Sequence, residues 1–303
     1  MRLKSTSWYN FLMKKIYFIV FAIITFLLVC QNPCSAIKIG LLTDVQSASI
    51  GTSVKGTIID ANKNKTICDL EAMKGYEIKP YRNIMAIRYE GKYYKIESNN
   101  IVIKTLSSGF VSTKSKWYRG NIMIKCRDGK LTVINDVSLE DYIKGVVPAE
   151  MPSSWSYEAH KAQAIAARSY ALANLGKRAA YGYDLKDTPE DQAYNGATGE
   201  TSGTNSAVED TKGIVLTHNT KVISAYYSAS AGGQTNTNSW GTSLPYLRSV
   251  PSFDDNIKKN GHGVGMSQHG ANNLAKQGYN AYQILKYFYN DVKFAKISPD
   301  SYN

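Results

Sequence analysis

Apolar and polar residues alternate with a period near two over much of Ile37 to Ser115, the pattern of strands with one buried face. The runs are short: "IKIGLL", "SVKGTIID", "KTICDL" and then "IMAIRYEGKYYKIES", where Glu90-Gly91-Lys92 marks a hairpin turn. This stretch is rich in β-branched residues and Tyr and offers no cluster of catalytic residue types, so residues 37–115 read as a β-rich N-terminal subdomain. A second part opens near Lys116 with "WYRGNIMIKCRDGKLTVIND", in which Asp128-Gly129 is a type I′ turn signal. Pairing outward from that turn sets Cys126 opposite Leu131 and Ile124 opposite Val133, with Ile122 on the same core face.

After residue 156 the period changes to that of a helix. Ser154 or Ser156 is placed to cap it, Glu158 falls in its first turn and Gly176 is placed to end it. Between them "EAHKAQAIAARSYALANL" is lined with Ala on several sides, so other backbones approach it closely and the helix is expected to be central and buried. Near the other end, "GHGVGMSQHGANNLAKQG" (261–278) carries a glycine loop and then a helix starting near Ser267. A last helix follows, with Asn280 and Gln283 as a capping box and Ala281, Ile284, Leu285 and Phe288 as its core stripe. The fold class is therefore α+β: the β-rich subdomain, then a mixed α/β domain over 116–303 built around the Ala-rich helix.

Against this frame one acid stands out. "GVVPAEMPSSW" (145–155) sets Glu150 in an apolar run between Pro148 and Pro152, where a strand gives way to a helix. A buried Arg168 on the Ala-rich helix needs an acceptor, for which Glu150 is a candidate and a purely structural ion pair the alternative. His262 and His269 lack the H-E-x-x-H spacing and have no paired Cys nearby, so no metal or other cofactor is expected. The serines of "YYSASAGG" fall outside any G-x-S-x-G elbow, so a hydrolase triad is not supported.

The first 36 residues differ in kind. Lys14 and Lys15 precede "IYFIVFAIITFLLV", and "CQNPCSA" ends in small residues: the order of a secretory signal peptide, or of an N-terminal anchor if it stays uncleaved. Met13 with the lysine pair would itself make a compact start to that signal. The segment holds four cations and no acid, so removing it takes the formal charge from +12 to +8. A basic exported protein meets anionic surfaces such as a bacterial wall, and no recognition-helix or zinc-finger spacing points to nucleic acid. Only Cys68 and Cys126 remain beyond Ala36, which reads as a buried free thiol at Cys126 or, alternatively, one disulfide.

"LEDYIKGVVPAEMPSSWSYEAHKAQAIAARSYAL" (139–172) and "GHGVGMSQHGANNLAKQGYNAYQILKYFY" (261–289) resemble the two hallmark segments of the SpoIID/LytB family, named for stage II sporulation protein D and an amidase enhancer. The resemblance runs from about Trp117 to Val292. It implies a lytic transglycosylase that cuts peptidoglycan glycan strands, with the Glu of "AEMP", here Glu150, as its single acid, or alternatively a non-catalytic wall-binding enhancer of an N-acetylmuramoyl-L-alanine amidase. It also implies that Gln163, Arg168, Tyr170, His262 and Gln268 line the glycan cleft. The implied partners are glycan strands and a cell-wall amidase or another sporulation or wall protein. Where family members that bind zinc carry Cys, His, Cys and a further His, this chain has Lys186, Glu190, Asp191 and Ser228, so no zinc is expected. The loop between Asp184 and Gly199 would then lack a metal cross-link.

Overall fold

A computed structural model describes residues 36–237, 241 and 243–297, and the leader-like segment before Ala36 lies outside them. Twelve strands come first: β1 (Ala36–Val45), β2 (Ala48–Thr52), β3 (Gly56–Asp60), β4 (Lys65–Leu70), β5 (Gly75–Tyr81), β6 (Ile84–Tyr89), β7 (Lys92–Ile96), β8 (Asn100–Thr105), β9 (Val111–Thr113), β10 (Lys116–Tyr118), β11 (Asn121–Arg127) and β12 (Lys130–Ser138). Five helices follow: α1 (Leu139–Glu150), α2 (Tyr157–Ala173), α3 (Ser202–Asp210), α4 (Gln268–Lys276) and α5 (Ala281–Phe288). Six short strands lie among them: β13 (Leu185–Lys186), β14 (Ile214–His218), β15 (Lys221–Val222), β16 (Tyr227–Ser228), β17 (Met266–Ser267) and β18 (Lys293–Lys296). The class is α+β, with its strands concentrated toward the N-terminus.

The twelve strands before α1, with β13 added at one edge, build two sheets, in the orders β13-β1-β12-β11-β8-β3-β4 and β10-β9-β2-β5-β6-β7. Chain on both sides of Ser115 contributes to each. The β11–β12 hairpin turns at Asp128-Gly129 and pairs Cys126 with Leu131 and Ile124 with Val133. Ile122, Ile124, Leu131 and Val133 are fully buried, each worth about 1.5–3 kcal/mol relative to exposure. The β6–β7 hairpin pairs Tyr89 with Lys92 around Glu90-Gly91. Cys126 is a buried free thiol against the Arg82 carbonyl, and Cys68 is free as well.

The Ala-rich sequence forms α2, which starts after Ser156 and ends at Asn174. Its small side chains admit α1, α3, α4, α5 and β14 on different sides. Ser169 locks one of these contacts: its Oγ donates to the Ile165 carbonyl and accepts from the Leu216 N–H at 2.8 Å. Ala162, Ile165 and Ala166 then pack with Leu216, Leu274, Ile284, Leu285 and Phe288 in one apolar cluster. The Asn280–Gln283 capping box forms at α5, whose first N–H at Ala281 is taken by Glu158 of α2 at 2.7 Å.

Candidate active site

The stretch before Glu150 is already helical, which alters its expected setting between a strand and a helix. Ser138 caps α1 by accepting the Asp141 N–H at 3.2 Å, and Glu140 and Asp141 complement the helix start. Pro148 falls in the last turn, the Met151 N–H closes on the Val147 carbonyl, and Met151 itself is extended. Glu150 is thus the final residue of a helix with no basic side chain in its last turn. The negative end of the helix dipole disfavours a carboxylate there.

Two other segments are brought to Glu150 by the sheets. Strand β13 runs parallel to β1, with Ile39 opposite Leu185, and delivers residues 187–195 to the end of α1. Gly145 makes that approach possible, since a Cβ there would meet the Tyr194 ring at 2.4 Å. From this segment the Ala193 N–H donates to Glu150 Oε1 at 2.7 Å. The second segment arrives through the parallel pair β16–β17, which aligns Tyr227 with Met266 and Ser228 with Ser267. It requires glycine at 265, where φ is +74° and a Cβ would lie 2.1 Å from the Tyr226 carbonyl oxygen. Ser267 caps α4 and donates to the buried carboxylate of Asp254 at 2.5 Å, fixing the helix start that carries Gln268. Gln268 Nε2 donates to Glu150 Oε2 at 3.2 Å, and the Tyr227 hydroxyl donates to Oε1 at 3.4 Å.

Glu150 lies on the wall of a cleft of about 610 Å³ that is also lined by Tyr170, Tyr226, Tyr227, His262 and Gln268. Burial raises its carboxyl above the ordinary value, and the donors Ala193, Gln268 and Tyr227 offset only part of that effect. Behind the cleft a buried chain of neutral groups fixes Tyr227. Gln192 Nε2 donates to the Tyr227 hydroxyl at 2.8 Å and Gln192 Oε1 accepts from Tyr142 at 3.2 Å. His262 Nδ1 accepts the Val264 N–H at 2.9 Å, and burial and then Lys259 lower its pKa, so the ring is a neutral wall at physiological pH.

Of the residues named from sequence, Glu150, Tyr170, His262 and Gln268 share this cleft. Gln163 sits behind it, fully buried, with its Oε1 3.4 Å from Gln268 Nε2. Arg168 requires correction as both a cleft residue and a partner of Glu150. It is fully buried and forms a fork with Glu140, at 2.9 and 2.7 Å, while also donating to the Ile214 carbonyl. The helical register explains this: a guanidinium taken out of water needs a carboxylate on the α1 face turned toward it, and that face carries Glu140. Sequence reasoning missed Tyr227, Gln192, the Ala193 N–H and Lys177. The first three lie within "YYSASAGG" and "DQAY", but nothing local ties either stretch to Glu150.

At three of the four departed positions, Lys186, Glu190 and Asp191, charge supplies cross-links. Asp191, its side chain fully buried, pairs with Lys177 and Arg178 at 2.6 Å each and accepts the Lys186 N–H at 2.8 Å. Burial pushes its carboxyl up, but these contacts outweigh that and hold it below the ordinary value. Glu190 pairs with Lys186 at 2.9 Å and Arg178 at 3.2 Å, and the Lys186 pairing lowers its pKa. Ser228 Oγ accepts the Gly263 N–H at 3.1 Å. Among the described residues no group of three His, Cys, Asp or Glu is arranged to hold a metal ion.

A sequence model of the SpoIID family, described as stage II sporulation protein, matches residues 127–218, which hold α1, α2 and the 184–199 loop. An uncharacterised protein of Brachyspira hyodysenteriae is 34% identical over 196 residues, covering 64% of this chain and 49% of its own. The amidase enhancer of Bacillus subtilis is 47% identical over 107 residues, covering 35% of this chain and 14% of its own. Stage II sporulation protein D of the same organism is 26% identical over 260 residues, covering 54% of this chain and 76% of its own. The chain therefore spans half or less of the length of the first two relatives.

Proposed function

From the match of residues 127–218 to the SpoIID family model and the likeness to an amidase enhancer and a stage II sporulation protein D, we propose that the chain is a cell-wall protein of the SpoIID/LytB family and a peptidoglycan lytic transglycosylase with Glu150 as its single acid and base. One observation carries this reading: of the three carboxylates lining the cleft, Glu150 alone has only neutral partners and a raised pKa. Glu190 and Asp191 are ion-paired and held ionised, so neither is a proton donor. Ordinary glycoside hydrolysis uses two carboxylates, one acid and one base or nucleophile. A single carboxyl suffices when the sugar's own hydroxyl replaces water.

In this mechanism the Glu150 O–H gives its proton to the glycosidic oxygen as the bond from C1 to that oxygen breaks. The Ala193 and Gln268 N–H donors then stabilise the carboxylate that is formed. Glu150 next takes the proton of the 6-hydroxyl while that oxygen bonds to C1, closing a 1,6-anhydro ring and restoring the acid. The aromatic rings of Tyr170 and Tyr226 offer stacking surfaces for sugar rings at the cleft wall. With the leader-like N-terminal segment, this chemistry belongs outside the cytoplasmic membrane.

A second reading, a non-catalytic wall-binding helper of an amidase, is favoured by the 47% identity to the amidase enhancer. One experiment separates them. Residues 37–303, wild type and Glu150→Gln, are incubated with purified peptidoglycan and with glycan strands stripped of peptides, and the soluble products are weighed by mass spectrometry. The expected result is 1,6-anhydromuramic ends from the wild type, with Glu150→Gln slower by a factor of about 10²–10⁴. Hydrated reducing ends would overturn the single-acid mechanism, and no product on either substrate would favour the helper.

A further inference from the structure

We propose that Gln163 is a positioning residue for Glu150, acting through Gln268, and that the two amides turn over together as the Glu150 carboxyl gains or loses its proton. A carboxamide presents a donor on one arm and an acceptor on the other, and a half-turn exchanges them with little change of shape. In the structure Gln268 Nε2 lies between two acceptors, Glu150 Oε2 at 3.2 Å and Gln163 Oε1 at 3.4 Å. This orientation suits an ionised Glu150. It leaves Gln163 Nε2, on a fully buried residue, with no hydrogen-bond partner among the described residues. A buried donor left unmatched carries the full cost of its desolvation.

Turning both amides pairs that donor and leaves the Gln163 carbonyl oxygen in the nitrogen's former place, where an unmatched acceptor is better tolerated than an unmatched N–H. Gln268 Oε1 then accepts from Gln163 Nε2 on one side and from Glu150 on the other, which requires Glu150 to carry its proton. The other groups bonded to Glu150 are the Ala193 N–H and the Tyr227 hydroxyl, both donors here, and that hydroxyl already accepts from Gln192. The amide pair is therefore a partner suited to the acid, and in its other orientation to the conjugate base. Its catalytic meaning, though not its existence, rests on Glu150 being the acid of the preceding section.

The remaining titratable groups around Glu150 do not explain such coupling. Tyr142 of α1, Tyr170 of α2 and Tyr227 of β16 are all pushed above their ordinary values by burial. Lys177, Glu190 and Asp191 are mutually or otherwise ion-paired. Tyr226 and His262 complete the wall, and α4 contributes the neutral Gln268. Among the described residues the hydrogen-bond contact of the Gln163 amide is Gln268.

The test follows the protein by NMR through a pH titration, with ¹³C on the Glu carboxyls and ¹⁵N on the Gln side chains of residues 37–303. The Gln163 and Gln268 amide signals are expected to move with the midpoint of the Glu150 carboxyl, and to lose that step in Glu150→Gln. In Gln163→Met the Glu150 midpoint falls by about one unit, a tenfold loss of proton affinity, and the alkaline limb of the cleavage rate moves down with it. A Gln163 amide that stays flat while Glu150 titrates overturns the proposal, as does an unmoved Glu150 midpoint in a folded Gln163→Met. Should that variant fail to fold, the wild-type titration decides alone. Coupled titration in a protein that cleaves no glycan would leave the amide pair standing and remove the transglycosylase reading.

Discussion

Glu140 and Glu150 stand at opposite ends of α1 and meet opposite electrostatics. Glu140, in the first turn, has the positive end of the helix dipole, a two-pronged Arg168 and the Gly213 N–H at 3.1 Å. Glu150, in the last turn, has the negative end and three neutral donors. The first arrangement fixes a charge and ties α1 to α2 and to the start of β14. The second leaves a carboxyl poised to take up or release a proton. One helix thus carries a structural cross-link and a chemical group ten residues apart, and the difference is the presence of a cation.

The comparison breaks first at Arg168. Arg168→Met leaves Glu140 without its charge partner, and urea denaturation is expected to show a loss of about 3–5 kcal/mol. The folded fraction should keep its affinity for glycan; a raised KM would return Arg168 to the cleft. Asp191→Asn removes the buried acid that orders Lys177, Arg178 and Lys186, at a cost of about 2 kcal/mol. Because the folded pKa of Asp191 lies below its unfolded value, its contribution is present above the unfolded value and lost as pH falls through the folded one. Acid unfolding of Asp191→Asn should therefore be flatter in that range, and an unchanged profile would deny Asp191 this role. The smallest effect is expected at Glu150. Its folded pKa is raised, so wild-type stability falls as pH rises from the unfolded value through the folded one. Glu150→Gln should abolish that fall and melt slightly higher at neutral pH. A lower melting temperature would make Glu150 a structural residue like Glu140.

The parts of the fold that were legible are those with local causes. Asp128-Gly129 and Glu90-Gly91 set their hairpins, and the Asn280–Gln283 box starts α5. Strands β2 and β5 are weakly marked, since "ASIGT" has Gly near its end and "GYEIKPY" contains Pro80, whereas the β-branched "NIVIKT" of β8 carries a strand signal of its own. Helix α1 was hidden because Gly145, Val146, Val147 and Pro148 oppose helix by propensity. Tertiary contacts override that, since Gly145 is needed for the Tyr194 ring and Val146 and Val147 are wholly buried.

By itself the sequence determined the α+β class, the central burial of the Ala-rich helix and the oddity of Glu150, because each follows from residue type and spacing within one segment. It left open whether Arg168 would bind Glu150, eighteen residues upstream, or form an ion pair elsewhere, since the choice of Glu140, 28 residues upstream, depends on how α1 is rotated against α2. Only the tertiary structure decided that, and only it supplied the Ala193 N–H, Tyr227 and Gln268 around Glu150. Those groups lie 43, 77 and 118 residues away along the chain. The parallel pairings β1–β13 and β16–β17 bring them together, and no local pattern encodes which distant strands will meet.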